Sequence, residues 1–239
     1  MEQLIEGAGN LGIKLSARHI EQFKLYYREL IDWNSRVNLT AITDYSEVQV
    51  KHFLDSLTVT QVLSRQDLRS PDFRIMDVGT GAGFPGVPLK ILYPEPELVL
   101  LEPTAKKTAF LQHISDRLKL QNVEVLNSTA EEAGHLPPYR ERFNLVLSRA
   151  VATLPALAEL TLPFCSIGGR LVAQKKGEIE EELGRAERAI LTLGGRLSRV
   201  KRIDLTEFSD VRHLVIIDKI DATPDKYPRR PGIPKKRPL

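Results

Sequence analysis

A glycine-rich stretch that follows an apolar run is the feature that most constrains this chain. Residues 75–89 read IMDVGTGAGFPGVPL, in which Asp77 stands near the end of the apolar run and four glycines lie between positions 79 and 86. A glycine loop directly after a first β-strand is typical of open α/β sheets that bind a nucleotide-like ligand beyond the carboxyl ends of their strands. The stretch therefore predicts an α/β fold with a ligand site at this loop.

The spacing of the glycines favours one class of ligand. Gly81 to Gly86 matches the dinucleotide pattern G-x-G-x-x-G, but the predicted strand ends too early for that pattern. A better match is D-x-G-x-G-x-G, from Asp77 to Gly83. A carboxylate at this place would repel a pyrophosphate, whereas it suits a ligand that carries an ammonium and a sulfonium group. S-adenosylmethionine (AdoMet) is such a ligand, and its candidate binding residues here are Asp77, Gly79, Gly81 and Gly83.

Two further places in the sequence fit an adenosine-type cofactor. Glu102 ends the second predicted strand, where an acid commonly binds ribose hydroxyls. Because NAD and AdoMet both carry a ribose, Glu102 does not separate the two. Ala130 and Glu131 follow the third predicted strand, where an adenine edge would lie, although an acid at a helix start would look the same.

Short β-rich runs alternate with helical patterns from Phe73 to about Ile220. Seven runs are predicted as strands, namely FRIMDVG, ELVLLEP, VEVLNST, FNLVLSRA, GRLVAQK, LSRVKRIDL and HLVIIDKI. This alternation predicts a mostly parallel sheet with helices on both faces, and the short loop between the last two runs predicts an antiparallel hairpin. The sequence thus predicts an α/β, Rossmann-like AdoMet-dependent methyltransferase fold over residues 66–222.

Residues 1–65 carry helical spacing and are predicted to form an N-terminal helical extension. Ser16 is a candidate N-cap, because its hydroxyl can accept from a free backbone N–H in the first turn. The inward face of the helix that follows is predicted to hold Ile20, Phe23, Tyr27, Leu30 and Ile31. A second helix is predicted over residues 48–63, with Phe53 and Leu57 turned inward.

The cysteine content and the hydropathy of the chain exclude some classes of protein. Cys165 is the only cysteine, which excludes a disulfide framework, and we expect it in the core on the inner face of a helix. No run of about 18 apolar residues is present, and the N-terminus lacks the pattern of a signal peptide. We therefore expect a cytoplasmic protein with no membrane segment and no metal site.

The basic charge of the chain is concentrated in its tail, residues 223–239. This segment holds six Lys and Arg, one acid and five prolines, although the whole chain has a net charge of only +3. Two interpretations stay open, an extended arm that contacts RNA phosphates and a strap in which Tyr227 and the prolines pack on the domain. In neither case do we expect the tail to affect cofactor binding. The basic residues of the arm would be Arg229, Arg230, Lys235, Lys236 and Arg237.

Two sequence signatures are absent, and their absence limits which atom can be the methyl acceptor. Methylases of the adenine amino group carry an Asn/Asp-Pro-Pro-aromatic tetrad after the fourth strand, whereas residues 136–139 read LPPY and precede that strand. Methylases of a pyrimidine carbon need a cysteine nucleophile, and Cys165 is expected in the core. The sequence therefore favours an acceptor atom that already owns a usable lone pair.

Six segments together resemble the RsmG family, which is also called GidB. They are WNSRVNLTAI at 33–42, HFLDS at 52–56, DVGTGAGFPGVPL at 77–89, AEE at 130–132, LSRA at 147–150 and QKKG at 174–177. The resemblance implies methylation of N7 of a guanine in the 530 loop of 16S ribosomal RNA, with AdoMet as cofactor and free rRNA or the 30S subunit as partner. It also implies AdoMet contacts by Gly79, Phe84, Ala130, Glu131 and Arg149.

N7 of guanine bears an in-plane lone pair and no proton, so its methylation needs alignment but no obligatory acid or base. Arg149, His52 and Asp55 are candidates for positioning residues, although His52 and Asp55 could equally be a packed structural pair.

Lys106, Lys107, Lys175 and Lys176 lie just after predicted strands, and they are candidates for RNA binding at that edge. We expect a monomer. A small-molecule methyltransferase and a non-catalytic RNA-binding module remain alternatives.

Overall fold

The computed structural model describes residues 1–239, and its first third is helical. Helix α1 spans Glu2–Asn10 and α2 spans Ala17–Asn34. Ser16 caps α2, because its Oγ accepts from the backbone N–H of His19 at 3.2 Å, which confirms the predicted N-cap. The next helical segment is continuous but changes its winding, and it consists of α3 (Tyr45–Val48), a π-helix (Gln49–Leu54), α4 (Asp55–Leu57) and a 3₁₀-helix (Thr58–Val62).

Two details of this region differ from the sequence-based expectation. The predicted single helix over 48–63 is wrong in its winding, because a π-helical turn interrupts it at Gln49–Leu54. The buried face of α2 is formed by Phe23, Tyr26 and Leu30, and Tyr27 is only half-buried. Tyr27 lies at the edge of that face, where its ring packs edge-on against Tyr45 at 4.8 Å between centroids. The prediction is therefore confirmed for Phe23 and Leu30, and it is wrong in placing Tyr27 rather than Tyr26 at the centre of the face.

Seven strands form one sheet, as predicted. In chain order they are β1 (Arg74–Val78), β2 (Glu97–Leu101), β3 (Val123–Leu126), β4 (Phe143–Arg149), β5 (Cys165–Lys176), β6 (Gly195–Ile203) and β7 (Arg212–Lys219). Their order across the sheet is β3-β2-β1-β4-β5-β7-β6. The first five strands are parallel, and β7 runs antiparallel to both β5 and β6, which confirms the predicted terminal hairpin.

Helices cover both faces of the sheet. They are α5 (Gly86–Leu92), α6 (Ala105–Leu118), α7 (Ala130–Ala133), α8 (Leu154–Thr161) and α9 (Glu180–Thr192), with α10 (Ile233–Lys236) in the tail. Short 3₁₀-helices occupy Asp67–Arg69 and Leu162–Phe164. Alternate strand residues face opposite sides, so Ile75 packs with α5, α6 and the N-terminal helices, whereas Met76 packs with α8 and α9. The N-terminal helices therefore share one of the two cores with the sheet.

Cys165 is fully buried, as expected for a core residue, but it does not lie on a helix. It is the first residue of β5, directly after the 3₁₀-helix Leu162–Phe164. Burial raises the pKa of its thiol to about 12. Cys165 is therefore a packing residue with no thiolate character.

One of the two edges of the sheet is formed by β6, most of which is exposed. Its sequence GRLSRVKRI supplies four basic side chains, Arg196, Arg199, Lys201 and Arg202. None of the helices combines the length and the hydrophobicity that a membrane-spanning segment requires.

Candidate functional site

The glycine loop lies beyond the carboxyl end of β1, where its backbone is held by the end of β2. Gly79 and Gly81 have φ values of +67° and +61°, a region that favours glycine. The carboxylate of Glu102 accepts from the backbone N–H of Gly81 at 3.1 Å and from that of Thr104 at 3.0 Å. The parallel pairing of β1 with β2 thus brings Glu102 close to the two glycines.

A cleft of about 430 Å³ opens at this edge of the sheet. Gly79, Glu102, Ala130 and Glu131 all contribute to its lining, so the structure brings together residues that sequence reasoning had placed after three different strands. The remaining lining comes from Val78, Leu101, Pro103, Thr129, Ala150, Val151, Leu160, Pro231, Gly232 and Lys235. The cleft is the expected ligand crevice of an open α/β sheet.

Asp77 lies beneath the loop and does not line the cleft. Its side chain is fully buried, and Oδ2 accepts from the hydroxyl of Thr80 at 2.6 Å and from the backbone N–H of Gly86 at 2.8 Å. Burial raises the pKa of Asp77 to about 6, although these two hydrogen bonds oppose the rise. Asp77 therefore shapes the loop, which corrects the prediction that its carboxylate faces a bound cation. Its Oδ1 has no hydrogen-bond partner.

Ala130 and Glu131 begin the short helix α7, whose N-cap is Thr129. Thr129 accepts from the backbone N–H of Glu132 at 3.2 Å, and this capping box fixes the turn that presents both residues to the cleft. Glu131 has a partner that sequence reasoning missed, because its Oε1 accepts from the backbone N–H of Gly232 in the tail at 3.0 Å.

Arg149, at the end of β4, is the centre of a second group of residues beside the cleft. Its Nη1 donates to Oδ2 of Asp55 at 2.8 Å, and its Nη2 lies 3.4 Å from Nδ1 of His52. The ring of Phe84 stacks on His52 at 4.6 Å between centroids, and the guanidinium of Arg149 lies 5.0 Å from the centre of the same ring. We call these four residues the Arg149 cluster. It brings together the three positioning candidates and Phe84, which the sequence analysis had proposed only for AdoMet contact.

The winding of the helical segment explains how His52 and Asp55 reach Arg149. His52 lies in the π-helix Gln49–Leu54, and the wide turn ends where the backbone N–H of Asp55 bonds the carbonyl of Val50. Such turns alter which side chains share a helix face. Burial, together with the nearby Arg149 cation, lowers the pKa of His52 to about 3, so this imidazole is neutral at physiological pH.

Two contributors to the Arg149 cluster were not found from the sequence. Arg212, the first residue of β7, donates from Nε to Oδ1 of Asp55 at 3.1 Å, so Asp55 lies between two guanidinium groups. Tyr26 is fully buried and donates its hydroxyl to the carbonyl of Ala82 at 2.5 Å within the glycine loop. The helical spacing had predicted Tyr27 rather than Tyr26 on the buried face. No motif or spacing around Arg212 indicates its contact with Asp55.

The two sites are joined through two short segments of the chain. The loop after β1 carries Gly79 at the cleft and Phe84 in the Arg149 cluster, and the end of β4 carries Arg149 in the cluster and Ala150 at the cleft. Ala150 has a φ of +56°, an uncommon value for a residue with a side chain. Such backbone outliers cluster at functional sites.

Of the four lysines proposed for RNA contact at this edge, one is engaged within the chain. Lys175 donates to Oε1 of Glu182 at 2.7 Å and to the carbonyl of Ala152 at 2.8 Å. Lys106 and Lys176 are exposed, and Lys107 is half-buried.

The tail packs on the domain, as in the strap interpretation. Tyr227 is buried, and Arg140 donates to the carbonyls of Thr223 at 2.7 Å and Tyr227 at 2.8 Å. Arg229, a candidate for RNA contact, forms an ion pair with the fully buried Glu159 of α8, so its guanidinium is engaged within the chain. The basic residues of the tail that remain exposed are Lys226, Arg230, Lys235, Lys236 and Arg237.

Comparison with known proteins finds relatives that match the chain over its whole length. The family described as rRNA small subunit methyltransferase G matches residues 19–215. The chain is 51% identical over 239 residues to the ribosomal RNA small subunit methyltransferase G of Dehalococcoides mccartyi, covering 100% of both chains. It is 47% identical over 238 residues to the protein of the same name from Pelotomaculum thermopropionicum, covering 100% of this chain and 98% of the relative.

Solved structures share the fold at much lower identity. The M. jannaschii TYW2 in complex with AdoMet has a TM-score of 0.52 at 16% identity, over 70% of this chain and 77% of that chain. A SAM dependent methyltransferase from Aquifex aeolicus has a TM-score of 0.51 at 18% identity, over 73% of this chain and 93% of that chain.

Proposed function

The chain belongs to the rRNA small subunit methyltransferase G family, and we propose that it methylates N7 of a guanine in the 530 loop of 16S ribosomal RNA. As a member of this family it is an AdoMet-dependent rRNA methyltransferase. The observation that carries the proposal is the direct adjacency of the cleft and the Arg149 cluster, which places a nucleoside-sized crevice one residue from a polar group able to position a base.

The residues of the cleft fit AdoMet. Gly79 lines the cleft, and a side-chain Cβ at the nearby Gly81 would meet no atom within 4 Å, so the glycine loop leaves open space beside its backbone. Glu102 uses one hydrogen bond on each carboxylate oxygen, which leaves acceptor capacity for ribose hydroxyls. Glu102 and Glu131 would bind the adenosine part, with Gly79 beside the methionine part. When bound, AdoMet supplies an activated methyl group, and the remaining work is done by the residues of the chain.

The Arg149 cluster suits a guanine acceptor. A guanidinium has five N–H donors, and Arg149 uses three contacts within the chain, to Asp55, to His52 and to the carbonyl of Lys51. At least two donors are left, and arginine donors are well matched to the O6 edge of guanine beside N7. Asp55 fixes the orientation of the guanidinium. Neutral His52 adds no charge that would repel a cationic methyl donor.

No proton needs to leave N7 when it is methylated, so a general base is not required. The chain contributes proximity and orientation, which are sufficient for a large share of the rate enhancement. This matches a site whose only neutral base, His52, is already engaged with Thr40 through Nε2 at 2.8 Å.

We assign RNA contact to the exposed cations around the cleft, Lys106 and Lys176, with Lys107 beside them, and to the exposed basic residues of the tail. Phosphate contacts of this kind set affinity and its salt dependence. The protein is proposed to act as a monomer, and in the cytoplasm, where ribosomal RNA is modified.

The test is transfer of labelled methyl from AdoMet to 16S rRNA and to 30S subunits that lack the modification, followed by mapping of the labelled base. Label at N7 of one guanine in the 530 loop supports the proposal. Label at another base or atom would reject the assigned acceptor. Label on a small molecule alone would support the alternative class of methyltransferase.

A further inference from the structure

The tail forms one wall of the cleft. Pro231, Gly232 and Lys235 line it together with residues from the ends of β1, β2 and β4 and from the start of α7. The wall is bonded to α7, because Gly232 donates its backbone N–H to Oε1 of Glu131 at 3.0 Å. Gly232 has a φ of +82°, which turns the chain toward α7 and starts α10.

This wall is anchored on both sides of the turn. Before it, His135 Nε2 contacts the carbonyl of Pro228 at 2.7 Å, and Arg229 pairs with buried Glu159. After it, the carbonyl of Arg237 accepts from Nη2 of Arg229 at 2.8 Å. The turn between Arg229 and Arg237 is thus a closed loop held against α8, and its place at the cleft is fixed by the fold.

Lys235 is the only cationic side chain that lines the cleft, and it makes no hydrogen bond or ion pair within the chain. Two carboxylates, of Glu102 and Glu131, line the same space. A lysine can cover an apolar ring with its methylene stem while its ammonium stays near solvent and carboxylates. Lys235 therefore has the reach and the charge to close the mouth of the cleft over a nucleoside.

We propose that residues 231–235 of the tail are part of the AdoMet site, where they hold the adenosine half of the cofactor against Ala130 and Glu131, with Lys235 closing the cleft. The inference rests on the proposed function, since it takes this cleft as the AdoMet site. It replaces the expectation that the tail plays no part in cofactor binding. By thermodynamic linkage, AdoMet also stabilises the docked tail.

Hydrogen exchange on the full chain tests the coupling. Saturating AdoMet should slow deuterium uptake by the segment 231–239 at least tenfold, and the edge strand β6, which lies outside the cleft, should keep its uptake unchanged. Unchanged uptake in 231–239, at an AdoMet concentration that titration calorimetry shows to be saturating, would overturn the proposal. A wild-type chain that binds no AdoMet at all would reject the proposed function, and this inference with it.

A matched pair of variants tests Lys235. Lys235→Glu should raise the Kd for AdoMet at least tenfold, because the introduced carboxylate is repelled by Glu102 and Glu131 and no longer closes the cleft over the ligand. Lys236→Glu makes the same charge change on the next residue of α10, which does not line the cleft, and should bind AdoMet as the wild type does. Equal Kd values for the two variants, with equal melting temperatures, would overturn the role given to Lys235.

Discussion

Arg229 donates from Nη2 to Oε2 of Glu159 at 2.6 Å, and the side chain of Glu159 is fully buried in the middle of α8. Arg229 also donates its backbone N–H and its Nε to Oε1 of the same carboxylate, each at 2.8 Å. Most hydrogen-bonding capacity of this buried acid is thus satisfied by one residue of the tail. The stability of the domain and the docking of its C-terminal tail therefore depend on the same contacts between Arg229 and Glu159.

Replacing Arg229 by alanine should destabilise the whole domain. The variant leaves the Glu159 carboxylate buried without a cation, with only the backbone N–H of residue 229 as a donor, and breaking a buried pair costs about 3 kcal/mol or more. Urea denaturation measures the loss. Arg230→Ala, at the adjacent exposed position, is the control and should change stability by less than about 0.5 kcal/mol. Equal stability of the two variants would contradict the anchoring role of Arg229.

Gly79→Ala should damage both stability and AdoMet binding. The added Cβ would lie 2.6 Å from Cγ2 of Val151, and the φ of +67° is strained for alanine. Overpacking of this kind costs about 1–3 kcal/mol. Gly168→Ala is the control for backbone strain alone, since its φ is +85° and its Cβ would meet nothing within 4 Å. A Gly79→Ala chain as stable as Gly168→Ala, with normal AdoMet affinity, would refute the assigned close contact.

Arg149→Ala should lower methyl transfer tenfold or more, which corresponds to about 1.4 kcal/mol of barrier. It should also lower the melting temperature, because Asp55 then keeps Arg212 as its only cationic partner. Arg170→Ala, which removes a partly exposed partner of Asp218 from β5, is the control and should leave methyl transfer unchanged. Normal methyl transfer by Arg149→Ala would reject its place in the active site.

His52 should make stability depend on pH between about 3 and 6.5. Its folded pKa is about 3, below the ordinary value of 6.5, so the unfolded chain binds more protons in this window. Stability from His52 is therefore complete above pH 6.5 and is lost as the pH falls. The raised pKa of Asp77, about 6, changes stability with pH in the opposite direction, but this contribution is the same in the wild type and in a His52 variant.

The comparison is between wild type and His52→Gln in urea denaturation at pH 5, 6.5 and 7.5. From pH 6.5 to pH 5 the wild type should lose on the order of 1–2 kcal/mol more than the variant. Parallel stability curves would show that His52 titrates normally in the folded chain.

Alanine at both Lys236 and Arg237 should flatten the slope of log K against log salt for RNA binding. Two lost phosphate contacts, at roughly 0.7–0.9 each, give a change of about 1.5. The melting temperature should not change, because both side chains are exposed. A double variant of Lys14 and Arg18, which do not line the cleft, serves as the control. An unchanged slope for Lys236 and Arg237 would remove the tail from the RNA interface.

The local parts of the site were predictable from the sequence, because they follow from strand ends. Gly79 and Glu102 come directly after β1 and β2, Ala130 follows the short turn after β3, and parallel pairing brings such residues to one edge. The contacts of Asp55 with Arg149 and Arg212 join segments that are far apart in sequence, and no periodicity encodes them. One signal for the docked tail was present, since Glu159 is the only charged residue of the apolar helix LPALAELT and requires a cation.

The exposed edge strand β6 has a consequence for the behaviour of the protein at high concentration. Its unpaired backbone groups could accept a strand from a second copy, which is the usual route to aggregation of sheets. Arg196, Arg199, Lys201 and Arg202 stand along this edge, so a second β6 would bring eight like charges together. Salt screens this repulsion over about 10 Å at 0.1 M. Storage in dilute buffer should therefore keep the protein dispersed, and concentrated salt should promote its aggregation through β6.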